Sequence, residues 1–167
     1  MTMQTIVRLL ADGLIIPIIL LAGYALLFKI PSRNRFEAYK RIFLAGLTAY
    51  LFAKLLAAVY QPSSERPFEA MGIAAGASFL PNPGFPSDHA LFTTFLTLAV
   101  WFETRRKNIA ITMGILTLLV CLGRVLAFVH TPLDVIGGII VAFMGVIWYV
   151  QGSSSVASHR APSKNDL

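Results

Sequence analysis

Five apolar runs, separated by short clusters of positive charge, constrain this chain more than anything else in it. They cover about 7–28, 42–60, 89–102, 109–128 and 133–150. A helix that crosses a bilayer needs about 20 mostly apolar residues. The third run is short for that, so it is expected to begin earlier, near Phe85, or to tilt. The fold expected is all-α, a polytopic membrane helix bundle of about five transmembrane helices. One membrane domain would occupy 1–151, followed by a polar cytoplasmic tail at 152–167 whose composition reads as disordered. Bulk composition agrees, with 13% charged residues in the chain against about 25% in soluble domains.

The formal net charge of +6 would in a soluble chain invite a nucleic-acid reading. Here Lys29, Arg33, Arg35, Lys40 and Arg41 lie between the first two runs, and Arg105, Arg106 and Lys107 between the third and fourth. Such clusters mark cytoplasmic loops. The N-terminus, the 61–88 loop and the turn at 128–132 then lie outside, and the C-terminus inside. Trp101, Trp148 and Tyr149 fall at cytoplasmic helix ends, where interfacial aromatics are expected. The first run is expected to be a retained helix. It is long for a signal peptide, and basic residues follow it instead of a small-residue cleavage pattern. Arg8 and Asp12, four apart, are expected to form a helix-surface ion pair. Cys121 reads as an apolar filler, and no Cys/His pattern points to zinc.

Three stretches on the outer side carry the polar chemistry. They are Glu65-Arg66-Pro67-Phe68, Phe85-Pro86-Ser87-Asp88-His89, and 123–134, which holds Gly123, Arg124, His130, Thr131, Pro132 and Asp134. Arginines grip phosphate oxygens with charge-assisted, bidentate hydrogen bonds. One histidine can attack phosphorus and another protonate the leaving oxygen, with a carboxylate orienting the nucleophile. That inventory suits phosphoryl transfer, in which positioning and electrostatics do most of the work. Ser87 opens a helix, whose N-terminus favours phosphate.

Arginine, five residues, histidine, three residues, aspartate is the spacing of Arg124, His130 and Asp134. It resembles the third signature of the type-2 phosphatidic acid phosphatase superfamily, which also contains the vanadium haloperoxidases. Pro86-Ser87-Asp88-His89 resembles the second signature, and Arg66-Pro67 the end of the first. The order is also the family's, over about 54–138. The resemblance implies that His130 is the nucleophile and forms a phosphohistidine, that Asp134 holds its ring and that His89 is the general acid. It implies that Arg66, Arg124 and Ser87 bind the phosphoryl oxygens, with no metal and no cofactor. Three positions depart from the family pattern. The lysine normally seven residues before Arg66 is replaced by Val59, with Lys54 the nearest lysine. Asp88 stands where glycine is usual. Gly123 stands where serine is often found. Pro-Ser-Asp-His is similar to the bacterial undecaprenyl-diphosphatase branch.

The reading is therefore a lipid phosphatase of the cell (inner) membrane, with its site facing the extracytoplasmic side. Its expected partners are a phospholipid or polyprenyl diphosphate and membrane lipids, with no nucleic acid. Undecaprenyl diphosphate is the expected substrate. Phosphatidic acid or phosphatidylglycerol phosphate is the alternative within the class, and a non-catalytic lipid-binding or transport protein the alternative outside it. Plainer roles stand beside several of these. Thr131 and Asp134 have the spacing of a capping box, Ser87 could be a mere N-cap, and Arg66 could bind lipid headgroups. Lys54 either joins the phosphate site or snorkels to the outer surface. Asp88 favours a helix N-terminus through the dipole, and its charge beside incoming phosphate is unexplained.

Overall fold

The computed structural model describes residues 2–62, 65–82 and 84–151; the tail expected at 152–167 lies outside them. Among the described residues all regular structure is helical. Four helical stretches are long and apolar enough to cross a membrane: Met3–Phe28, Ser32–Val59, Lys107–Leu126 and Pro132–Gln151. The chain is a multi-pass membrane protein.

The first stretch contains α1 (Met3–Arg8), a π turn (Leu9–Gly13) and α2 (Ile15–Phe28). The second is a 3-10 turn leading into α3 (Arg35–Val59). A single turn, α4 (Pro67–Ala70), interrupts the long loop before α5 (Asp88–Glu103), α6 (Lys107–Leu126) and α7 (Pro132–Met144). The last helix resumes after Gly145 and runs to Gln151. The short third run corresponds to α5, whose 16 residues span about 24 Å, less than the ~30 Å hydrocarbon core. It packs against α2, α3, α6 and α7, so protein flanks most of its length.

Packing is inside-out relative to a soluble protein. Ala22, Ala25, Ala45, Ala49, Ala90, Ala99 and Ala110 are buried, whereas Leu20, Phe28, Phe36, Phe43 and Leu118 are exposed. Lipid tails are as apolar as leucine, so helices gain by close approach through small residues. At Gly145 a Cβ would lie 2.7 Å from the Ala45 carbonyl oxygen, which marks the α3–α7 crossing. Cys121 fills the core with Ala90 and Val135.

α3 begins seven residues before the expected position 42. Glu37, Lys40 and Arg41 are therefore helical. Arg41 donates from Nε and Nη2 to the two Glu103 carboxylate oxygens at 2.7 and 2.6 Å, clamping α3 to α5. Two of the three expected interfacial aromatics turn inward instead. Trp148 Nε1 donates to Thr48 Oγ1 at 2.9 Å, and buried Tyr149 stacks on Phe102 with centroids 5.1 Å apart. Lys29 and Arg105–Lys107 line one cavity with Tyr24, so the basic residues of two loops meet at one end. The three polar stretches of the signatures lie on the connections at the other end.

Candidate active site

The turn from α6 to α7 supplies the core of the site. Phe128 adopts a left-handed conformation, φ 57°, which costs a non-glycine residue about 1–2 kcal/mol and reverses the chain just before His130. α7 then starts on a capping box. Thr131 N donates to Asp134 Oδ2 at 2.7 Å, Asp134 N donates to Thr131 Oγ1 at 3.2 Å, and Pro132 occupies the first turn. The same Oδ2 lies 3.6 Å from His130 Nδ1, beyond hydrogen-bonding distance but close enough to act on the charge of the ring. Asp134 thus fills both roles that the spacing allowed, cap and imidazole neighbour. Both side chains are buried. Burial lowers the His130 pKa from its usual value, Arg124 and Arg66 push the same way, and Asp134 opposes them. The imidazole is therefore neutral at neutral pH.

The 61–88 loop is pinned across this turn by backbone bonds. Phe68 N donates to Phe128 O at 2.9 Å and Gly76 N to Ala127 O at 3.1 Å. At Gly76 a Cβ would sit 2.9 Å from Ala127 Cα, so the close approach needs glycine. Arg66 Nη1 donates to Val129 O at 2.6 Å, and its Nη2 donates to Leu80 O at 3.1 Å and to Asn82 Oδ1 at 2.9 Å. The Arg66 guanidinium is thus buried among carbonyls. Its charge is turned into the protein, onto the carbonyl of the residue before His130, and not outward toward the lipid surface.

The second signature docks on α7. Ser87 N donates to Asp134 O at 2.9 Å, and a Cβ at Gly138 would lie 2.5 Å from Ser87 O. Gln61 Nε2 holds Phe85 O at 3.0 Å. Ser87 is fully buried, makes no side-chain cap bond at the start of α5, and its Oγ has no hydrogen-bond partner among the described residues. A mere N-cap would have bonded the helix amides. His89 stands in the first turn of α5, two residues on. At Gly84 a Cβ would lie 3.5 Å from Asp134 Oδ2, 3.8 Å from His130 Nδ1 and 3.9 Å from Arg66 Cγ. The missing side chain leaves that space open above the pair.

Arg124 ends α6 with 1% exposure. Its Nη1 donates to Asp12 Oδ1 at 2.9 Å, while Nε has no partner among the described residues. The expected Arg8–Asp12 surface pair is therefore replaced by an Asp12–Arg124 pair. The π turn at Leu9–Gly13 changes the angular register between Arg8 and Asp12, which the i,i+4 argument had assumed to be α-helical. Lys54 Nζ lies 3.9 Å from Asp88 Oδ1 with both side chains half exposed. Those two residues line a groove with Ala57, Asn82, Phe85 and Pro86. Lys54 is thus at the rim beside the second signature, and Asp88 has a cationic neighbour.

The structure joins residues from all three signatures. Of the six buried polar side-chain atoms without a partner among the described residues, Ser87 Oγ, Arg124 Nε and His130 Nδ1 come from two of them, and Gln61 Oε1, Thr94 Oγ1 and Tyr149 Oη lie outside the signatures. Two contributors escaped sequence reasoning, Asp12 and Gly84. An acid inside an apolar run was a usable signal for the first; nothing marked the second. A family model described as PAP2 superfamily matches residues 39–156. No curated protein and no solved structure matches the chain.

Proposed function

The chain belongs to the PAP2 superfamily, a family of phosphatases acting on lipid phosphates, and from that premise we propose that it hydrolyses undecaprenyl diphosphate to the monophosphate and phosphate. The observation that carries the catalytic reading is that three of the six buried polar side-chain atoms without a partner among the described residues, Ser87 Oγ, Arg124 Nε and His130 Nδ1, belong to the signatures. Buried polar groups in native proteins normally have partners. A phosphoryl group would supply them for the serine and the arginine.

In the proposed reaction Asp134 faces the protonated Nδ1 of His130, leaving Nε2 as the nucleophile. Nε2 attacks the terminal phosphorus. The N–P bond forms as the bond from phosphorus to the lipid-phosphate oxygen breaks. His89, which burial and then Arg124 hold at a pKa of about 4, takes up a proton as the anionic substrate binds and gives it to that oxygen. Water then attacks the phosphohistidine while His89 takes a proton back, releasing phosphate. Arg124, Arg66, Ser87 and the amides opening α5 hold the phosphoryl oxygens. Lys54, at the rim, takes the place of the lysine absent at Val59. No step uses a metal or cofactor.

The lipid assignment rests on the Pro86-Ser87-Asp88-His89 form of the second signature and on topology. With the basic end cytoplasmic, the site opens on the outer face of the cell (inner) membrane. The test is phosphate release by the purified protein in detergent with chelator present. Undecaprenyl diphosphate and phosphatidic acid are compared, with His130→Ala alongside. Chelator-resistant release that is faster on the diphosphate and falls roughly 10,000-fold or more in the variant is expected. Faster release from phosphatidic acid would overturn the lipid assignment, and full activity of a folded His130→Ala protein would overturn the mechanism.

A further inference from the structure

Asp12 lies in the π turn of the first helical stretch, before the family match begins at residue 39. We infer that it is a positioning residue for phosphoryl transfer, acting through Arg124; the inference rests on the catalytic reading above. Both of its carboxylate oxygens are engaged. Oδ1 accepts from Arg124 Nη1 at 2.9 Å, and Oδ2 accepts from Ser78 N at 2.9 Å. One carboxylate therefore ties three separate parts of the chain together: the first helix, the end of α6 and the outer loop that carries Arg66.

The local structure is built around this contact. Leu14 N bonds to Leu9 O at 3.0 Å, one residue further back than in an α-helix. Such π turns inside helices recur at functional sites. The turn rests directly on α6. At Gly123 a Cβ would lie 2.5 Å from Ala11 N and 2.7 Å from Leu10 C. Those are backbone atoms and have no rotamer to yield. Glycine in place of the serine often found before the signature arginine is thus explained: a side chain there would push away the segment that carries Asp12. The exchange gives up one hydroxyl and gains a carboxylate contact to the neighbouring arginine.

The consequence for Arg124 follows from the shape of its guanidinium. The group is planar, with its donors in a rigid fork. An anion fixed on Nη1 stops rotation of the fork and leaves the unpartnered Nε edge for a second anion. In a site lined by Arg66 and Arg124, Asp12 also offsets one cation before substrate arrives. A carboxylate that merely neutralised a buried arginine would support folding only. A positioning carboxylate would in addition set how well the arginine holds phosphate.

The experiment measures lipid-phosphate hydrolysis and inhibition by inorganic phosphate in detergent. The proteins compared are wild type, Asp12→Asn, Arg124→Gln, the double variant, and His130→Ala as the blank. Asp12→Asn keeps the size of the side chain and removes its charge. We expect kcat/KM to fall about 10- to 100-fold, as for other residues that orient a primary ligand. The inhibition constant for phosphate should rise, and the loss should be nearly absent when Arg124 is already Gln. Asp12→Glu should recover part of the loss. Full turnover and unchanged phosphate inhibition in folded Asp12→Asn would overturn the inference while leaving the phosphatase reading intact. So would a loss that adds fully to that of Arg124→Gln. If Asp12→Asn does not insert, the same readouts on Asp12→Ser, also uncharged and smaller, decide, and wild-type values for phosphate inhibition in that variant would overturn the inference. Absence of release by the wild-type protein itself would remove the catalytic reading and the inference with it.

Discussion

The two ends of the bundle handle charge in opposite ways. At the basic end Lys40 pairs with Glu37 at 2.6 Å with both side chains about half exposed. Lys107 lies over the Trp101 ring at 4.1 Å and Lys29 over Tyr24 at 4.9 Å. These are surface charges, each worth little individually, and their number and side of the membrane matter more than their geometry. At the other end Arg124, Arg66, His130 and Asp134 are all buried, where an uncompensated charge is expensive. Arg124, Arg66 and Asp134 are each held by a specific donor or acceptor, and His130 has the Asp134 carboxylate 3.6 Å from Nδ1. Under the proposed function the contrast separates residues that set topology from residues that set chemistry, and it can be broken from either side.

The largest effect is expected from Asp134→Asn. An amide in place of a carboxylate that orients an imidazole favours the wrong tautomer, and a loss of roughly 10,000-fold in kcat is the order to expect. The acid limb that His130 gives to kcat/KM adds a sharper check. A free histidine titrates near 6.5. Burial, Arg124 and Arg66 hold His130 below its usual value while Asp134 pulls it upward. The wild-type limb should therefore lie below 6.5, and removing the Asp134 charge should move it further toward acid. A limb that moves to higher pH in Asp134→Asn would show that the carboxylate does not act on this imidazole. Some stability loss should accompany the change, because Asp134 also caps α7.

Arg124→Gln comes next. Removing one preorganised donor from a charge-stabilising site costs on the order of 100- to 1,000-fold in kcat. Here it also strands the Asp12 carboxylate. If the two ends were alike, Arg41→Gln would do the same, because Arg41 too makes a short ion pair with a buried acid, Glu103. Comparable losses of turnover per folded molecule in both variants would erase the distinction.

Much of this architecture is legible in the amino-acid sequence, and the reasons differ from part to part. Apolar runs and loop charge give the helices, because lipid imposes length and composition directly. They do not give α3 its true start, since Glu37, Lys40 and Arg41 are good helix formers whose charge reads as loop. Nor do they show that Trp148 and Tyr149 face inward, because a helix apolar all round gives no hint of which side meets protein. The spacing of Arg124, His130 and Asp134 is short-range and survives translation into three dimensions almost unchanged. Asp12 is the opposite case. Its partner is 112 residues away, and a π turn, which leaves no signature in composition, resets the register on which the Arg8 pairing depends. Arg66 is marked by its motif, but its hold on Val129 O and Asn82 Oδ1 depends on how the outer loop folds back.

The smallest effect on chemistry, and the cleanest test of the comparison, is expected from Arg41→Gln with Glu103→Gln. The pair is bidentate and joins α3 to α5, with Glu103 6% exposed. Breaking one partner leaves the other buried and unpaired, so either single variant should lower the thermal midpoint in detergent. Replacing both removes the stranded charge and should recover part of that loss. Phosphate release per folded molecule should stay at the wild-type level in all three, because the pair lies at the basic end of α5 and His89 at the other. A fall in kcat that tracked the loss of the pair, rather than the loss of folded protein, would mean that α5 transmits the state of its basic end to the site. The charges of the two ends would then have to be treated as one system.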